Sequence, residues 1–232
     1  MTMADSLRVL AAMARETVPS VIDIALGRLE RATVDERARR FGDRVVELLD
    51  VELTIERSPK VVPDRAYVYM SNHQSHLDIP ILYKALAAQT LRMVAKAELF
   101  RIPVWGPGLR QAEFIEIDRG DHDQARVAID RAAALVREGV SIWIAPEGSR
   151  SRDGRVGPLK KGGFHLAMGT GAPIVPVALR GTIDILPRGA RSMQRGARVD
   201  VTIGDPIEVE GRALADLMSQ VGAFLHRHVE VN

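Results

Sequence analysis

From residue 51 onward, short runs of apolar and β-branched residues recur between stretches whose apolar positions follow a helical period. The runs occupy 66–70, 91–95, 113–117, 140–145, 174–179 and 199–203, lengths suited to buried strands. Between them, Ala125, Ala128, Ile129, Ala132, Ala133 and Val136 fall on one face of a helix predicted over 122–138, with Gly139 as its stop. A structural helix is expected over 213–229. This alternation predicts an α/β fold over residues 51–232, built on a mixed, mainly parallel sheet flanked by helices. Residues 1–50 read as an N-terminal amphipathic helical segment. Asp5 or Ser6 is the candidate N-cap, Pro19 the expected interruption, and Val21, Ile24, Ala25 and Leu29 stand at helical spacing. Its apolar face suits equally a cover for the core and a helix lying in a membrane interface.

At 232 residues, with 46% apolar and 27% charged residues, the chain has the size and composition of one ordinary globular domain with a helical extension. The run 162–179 carries no charge and is as long as a membrane span. It contains Gly162, Gly163, Gly169, Gly171, Pro173 and Pro176, and so reads as helix, turn and buried strand. The N-terminus lacks a basic segment followed by an unbroken apolar stretch and a cleavage site, so secretion is not expected. The absence of cysteine excludes disulfides, thiolate metal sites and a cysteine nucleophile, and fits a reducing compartment. A net charge of +2 is too small for a general nucleic-acid binder. Arg188, Arg191, Arg195 and Arg198 lie in a Gly- and Arg-rich segment at 187–198, read as a mobile surface loop. It is either a solvated turn or a patch for anionic lipid headgroups.

The chemistry concentrates in SNHQSHLDIP at 71–80, after the strand predicted at 66–70. Strand ends followed by loops are where α/β proteins place their sites. His73 and Asp78 are five residues apart, so a helix beginning near Ser75 lets the carboxylate fold back onto the imidazole. A carboxylate that keeps one ring nitrogen protonated leaves the other free to take a proton from a hydroxyl. Pro146, Glu147, Gly148, Ser149 and Arg150 follow the strand at 140–145 and can share that pocket. Glycine admits close approach of an anion, and an arginine fork suits phosphate. Glu147 is expected to hold the guanidinium groups or to bond an acceptor hydroxyl. Backbone amides near Gly148 are the expected stabilisers of an oxyanion. Lysine occurs at Lys60, Lys84, Lys96, Lys160 and Lys161 alone. Of these, Lys96 follows a strand, and Lys160 with Lys161 precedes a probable helix start.

Asn72, His73 and Asp78 match the first signature of the glycerolipid acyltransferase family that includes bacterial 1-acylglycerol-3-phosphate acyltransferases. FIEIDRG at 114–120 is similar to its second signature, APEGSRS at 145–151 to its third and PIVPVAL at 173–179 to its fourth. The ordered resemblance covers most of 65–180. It implies a glycerol-3-phosphate acyltransferase-like fold, with His73 as base, Asp78 as its orienting partner, and Asn72, Lys96, Arg119, Glu147, Gly148, Ser149 and Arg150 on the acceptor side. It also implies an acyl group passed from acyl-CoA or acyl carrier protein to a lysophospholipid acceptor, 1-acylglycerol 3-phosphate, giving phosphatidic acid. Glycerol 3-phosphate, the other lysophosphatidic acid regioisomer or a phosphoglycolipid are alternative acceptors.

No metal or bound cofactor is expected; the thioester is a co-substrate. The chain is expected at an anionic membrane surface, attached peripherally on the cytoplasmic side of the cell membrane, and its sequence leaves the oligomeric state open. A rival reading takes His73, His76 and Asp78 as H-x-x-H-x-D metal ligands of a hydrolase. The other histidines, His122, His165, His226 and His228, form no second ligand cluster with nearby carboxylates, which weighs against it. His76 is expected to pack, cap or line the pocket mouth.

Overall fold

A strand buried on both faces needs apolar side chains at successive positions, and the central runs meet that requirement. Tyr67 and Tyr69 enter one apolar cluster while Val68 and Met70 enter another. Likewise Trp143 parts from Ile142 and Ile144, and Val175, Val177 and Leu179 from Ile174 and Ala178. The sheet therefore separates two cores. The computed structural model describes residues 7, 8, 11, 15, 18–20, 22–24, 26–103, 105–118, 122–190 and 192–230.

Seven strands are described: β1 (Glu52–Arg57), β2 (Val68–Ser71), β3 (Leu91–Lys96), β4 (Ile115–Ile117), β5 (Ser141–Ile144), β6 (Ile174–Arg180) and β7 (Arg198–Ile203). Their order is β1-β7-β6-β2-β5-β3-β4. All neighbours pair in parallel except β6 and β7. Helices α1 (Arg31–Leu48) and α2 (Asp78–Ala85) cover the face that holds Tyr69 and Trp143. Helices α5 (His122–Arg137), α6 (Lys161–Thr170) and α8 (Leu214–Val229) cover the other. Short helices α3 (Ala97–Phe100) and α4 (Trp105–Gln111) follow β3, and α7 (Thr182–Ile185) follows β6. The predicted mixed, mainly parallel sheet is thus found. In α8, Leu217, Val221, Leu225 and Val229 are the buried stripe, the four-residue repeat of a helix that covers a sheet.

Strand β1 is absent from the sequence-based expectation. Among the described residues it pairs with β7 alone, and most of its residues are exposed, so it carries no apolar run. Pro19, the expected interruption, lies within helical residues 18–20, and 22–24 are helical as well. The break comes at Gly27, whose φ of 64° is cheap for glycine. Arg28 N–H donates to the Asp23 carbonyl and Gly27 N–H to that of Ile24, at 2.8 and 3.1 Å, a Schellman stop.

Helix α1 is part of the packed body. Val45 and Leu49 join the cluster of Ile81 and Leu82, and Lys84 on α2 pairs with Asp43. Fully buried Arg92 on β3 bonds Asp35 of α1 at 2.5 Å and Glu113 at 3.2 Å, and Glu113 also receives Arg31. That Arg31 hydrogen bond, ahead of opposing burial, holds the Glu113 carboxyl below its ordinary pKa. Among the described residues no helix is long and apolar enough to cross a membrane.

Candidate active site

Parallel strands deliver their C-terminal loops to one edge of a sheet. Because β2 and β5 are neighbours in register, with Met70 opposite Ile144, the loops carrying His73 and Glu147 emerge side by side. They are stitched together through the backbone of His73. Its N–H donates to Glu147 Oε1 at 2.8 Å, and its carbonyl accepts from Ser151 N–H at 2.7 Å. The other Glu147 oxygen accepts from Gly157 N–H at 2.8 Å. A Cβ at Gly157 would lie 2.8 Å from that oxygen and would displace it. Burial pushes the Glu147 carboxyl pKa up, against the two backbone donors.

The His73 ring is set by two contacts. Nδ1 lies 2.6 Å from Asp78 Oδ2, and Trp143 meets the ring edge-on with centroids 5.8 Å apart. Trp143 is itself held by its Nε1–H to Ser71 Oγ at 2.9 Å. Asp78, at the first position of α2, is fully buried and surrounded by donors. Gln74 and Ser75 N–H reach Oδ2 at 2.8 and 3.1 Å, and the Thr182 hydroxyl reaches Oδ1 at 2.5 Å. A carboxylate so placed assigns the ring proton to Nδ1 and leaves Nε2 as the basic nitrogen. His73 keeps a small exposed fraction, 18%, and lines a cavity of about 1060 Å³.

That cavity runs beneath α1 and the residues before it, between Ile24, Val34, Phe41, Met93, Phe114 and Leu109, so its wall is mostly apolar, with Arg37, Glu98 and Asp118 also on it. Its cover is tied down by Arg37 to Asp23 at 2.5 Å and by Gln111 to the Ile24 carbonyl at 3.2 Å. Its polar end gathers His73, His76, Ser149, Arg150, Lys160 and Arg188, with Lys96 and Gly148 also on the wall. Burial, then the charge of Arg150, lowers the His76 pKa.

Of the predicted site residues, the cavity therefore collects His73, Lys96, Gly148, Ser149 and Arg150, with Asp78 directly behind His73. Three expectations change. Asn72, expected at the substrate, is buried and spends its side chain on β6: Nδ2–H donates to the Leu179 carbonyl and Oδ1 accepts from Leu179 N–H, both at 2.7 Å. It pins the β2 end to its neighbour strand. Glu147, expected to hold arginines or an acceptor hydroxyl, is found holding backbone, with one N–H on each of its oxygens. The Gly148 amide, a candidate oxyanion donor, closes a turn onto the Ala145 carbonyl at 2.9 Å. Arg119 lies outside the described residues, as does Arg191.

Two contributors were not marked in the sequence as site residues. Thr182 has no local signal, since its partner is 104 positions away. Arg188 stood only among the arginines of a surface loop. Lys160 and Lys161 do mark a helix start at the site, with α6 opening at Lys161. Among the described residues no group of three His, Asp or Glu side chains is placed to hold a metal ion.

Residues 52–180 match the protein family described as Acyltransferase. A chloroplastic 1-acyl-sn-glycerol-3-phosphate acyltransferase of Brassica napus is 40% identical over 144 residues, 62% of this chain and 41% of that protein. The alpha form of 1-acyl-sn-glycerol-3-phosphate acyltransferase from Bos taurus is 32% identical over 185 residues, 79% of this chain and 64% of that one. The chain thus spans 41% of the plant relative's length and 64% of the bovine one. The crystal structure of the 1-acyl-sn-glycerophosphate acyltransferase PlsC from Thermotoga maritima superposes with a TM-score of 0.75 at 27% identity, over 97% of this chain and 96% of that one.

Proposed function

Because this chain belongs to the acyltransferase family, we propose that it moves a fatty acyl group from acyl-CoA or acyl carrier protein to the free hydroxyl of 1-acylglycerol 3-phosphate, making phosphatidic acid. The observation that carries this reading is a carboxylate-held histidine at the cationic end of a long apolar cavity. An amphiphile with a phosphate head and an acyl tail has the same polarity profile as that cavity. The names of the relatives, 1-acylglycerol-3-phosphate acyltransferases, point to the same acceptor.

In the proposed reaction, His73 Nε2 takes the proton of the acceptor hydroxyl as its oxygen attacks the thioester carbonyl. The C–O bond forms, the C–S bond breaks, and the imidazolium returns the proton to the departing thiolate. Asp78 holds the ring in the required tautomer. General-base help of this kind contributes roughly 10²- to 10⁴-fold. The thioester brings the activation, so the reaction needs no metal or bound cofactor. Arg150, and Arg119 from the second signature, are the residues proposed to hold the acceptor phosphate.

Peripheral attachment to the cytoplasmic face of the membrane is part of the proposal. Val18, Ile22 and Leu26, each about one helical turn from the next, are 54%, 52% and 53% exposed. Leu99 and Trp105 are exposed and also line the cavity, which makes an outer apolar surface continuous with the inner one. Such a stripe favours burial in an interface. The test is an acceptor panel with labelled palmitoyl-CoA, comparing 1-acyl- and 2-acylglycerol 3-phosphate, glycerol 3-phosphate and unphosphorylated monoacylglycerol. Transfer to 1-acylglycerol 3-phosphate that is lost in His73→Ala supports the reading; preference for the unphosphorylated acceptor refutes it. Failure of the protein to co-sediment with anionic vesicles at low salt refutes the attachment.

A further inference from the structure

The loop between α7 and β7 brings a charge to the cavity that no signature includes. Arg188 lines the same wall as His73 and Arg150, and its Nη1–H donates to the Arg150 carbonyl at 3.2 Å. Two guanidinium groups therefore stand together on the wall of one mostly apolar cavity. After burial, the field of Arg188 is what lowers the Arg150 pKa. Among the described residues neither arginine lies within ion-pair distance of a carboxylate. Asp78, whose charge acts on Arg150, is already committed to His73, Gln74, Ser75 and Thr182.

Like charges placed together without a counter-charge repel, and an anion relieves that repulsion. A guanidinium has five N–H donors, and the Arg150 carbonyl engages only one edge of Arg188. The remaining donors are not engaged by that contact, which holds the Arg188 guanidinium beside the Arg150 backbone. Two forks on one cavity wall suit a dianion with three equivalent oxygens better than a carboxylate.

We propose that Arg188 is a phosphate-binding residue that closes with Arg150 on the phosphomonoester of the acceptor. This rests on the acyl-transfer reading above for the nature of the acceptor. The same chemistry occurs in the 3′-phosphate of coenzyme A, so the experiment must separate the two sources. Trp105 and Trp143 line the cavity, and their fluorescence reports binding in the intact protein without turnover.

The probes are a short-chain 1-acylglycerol 3-phosphate below its micellar concentration, the matching monoacylglycerol without phosphate, and coenzyme A. Arg188→Gln should weaken the phosphorylated glycerolipid by about 10- to 100-fold, the loss of one or two charge-assisted hydrogen bonds. Binding of the monoacylglycerol and of coenzyme A should not change, and Arg188→Lys should recover part of the loss. Arg212→Gln, which alters an arginine lining neither cavity wall nor loop, should match the wild type.

Equal weakening of the phosphorylated and unphosphorylated lipids, or none of either, overturns the assignment. A loss confined to coenzyme A overturns it in favour of the donor. Because binding is read directly, a protein that binds the phosphorylated lipid through Arg188 yet transfers no acyl group refutes the acyl-transfer reading alone.

Discussion

Replacing Glu147 by Gln separates two roles that the residue types alone do not distinguish. Both carboxylate oxygens accept backbone N–H groups, from His73 and Gly157, each at 2.8 Å, and the side chain is 6% exposed. Glutamine offers one acceptor and one donor, so its NH₂ must face one of those two N–H groups. A buried donor left without an acceptor costs about 1–3 kcal/mol. The bond that survives loses its charge, and relief from burying a carboxylate offsets part of the sum. The net expectation is about 1–3 kcal/mol of lost stability.

Activity should fall further than stability, because one of the two freed backbones belongs to His73. Misplacing a reacting group by about 1 Å can cost on the order of 10²-fold, and the loss should appear in kcat with the acceptor KM unchanged. The variant should also change the pH dependence of unfolding. With its pKa raised by burial, Glu147 holds its proton to higher pH in the folded state than in the unfolded one. Its contribution is therefore full below the unfolded pKa and is lost as pH rises through the folded one. Glutamine removes that slope. Urea unfolding across pH and steady-state kinetics on the same preparations provide the measurements. An unchanged kcat and unfolding midpoint with a raised acceptor KM would refute the reasoning, and would place Glu147 on the acceptor.

Thr182→Val removes the donor to Asp78 Oδ1 at nearly constant volume. It should lower kcat roughly tenfold or more and displace the pH–rate profile, with Thr182→Ser close to wild type; equal activity of Val and Ser variants argues against a positioning role. Arg92→Met should destabilise by about 3 kcal/mol, the lower end for breaking a buried charge cluster, because Asp35 keeps the Thr90 hydroxyl and Glu113 keeps Arg31; unfolding by denaturant measures it. With the Glu113 pKa depressed by Arg31, its stabilisation is present above the unfolded-state pKa and lost as pH falls through the folded one. Glu113→Gln should therefore flatten the acid limb of the unfolding midpoint below about pH 4. Among the described residues the buried Tyr69 hydroxyl has no protein hydrogen-bond partner, so Tyr69→Phe should leave the midpoint unchanged or raise it; a fall of more than about 1 kcal/mol means that the hydroxyl holds a buried water.

Local pattern was enough for much of this protein. The central strands announce themselves because burial on both faces demands continuous apolar runs, and α5 and α8 because one buried stripe demands a helical repeat. The His73–Asp78 pair was legible for the same reason: five residues of loop and helix start bring the two side chains together wherever the rest of the chain lies. What escaped depends on neighbours distant in sequence. β1 is an exposed edge whose pairing with β7 leaves no apolar run to read. Asn72 and Glu147 had the right address but a different task, because their partners, Leu179 and Gly157 with the His73 backbone, were chosen by the strand order β6-β2-β5. Thr182 and Arg188 reach the site from the segment that follows β6, for the same reason. Side-chain chemistry and short-range periodicity are written along the chain, whereas the partner that satisfies a buried polar atom is set by which strands lie side by side. That choice is made only when the whole sheet closes on its two cores.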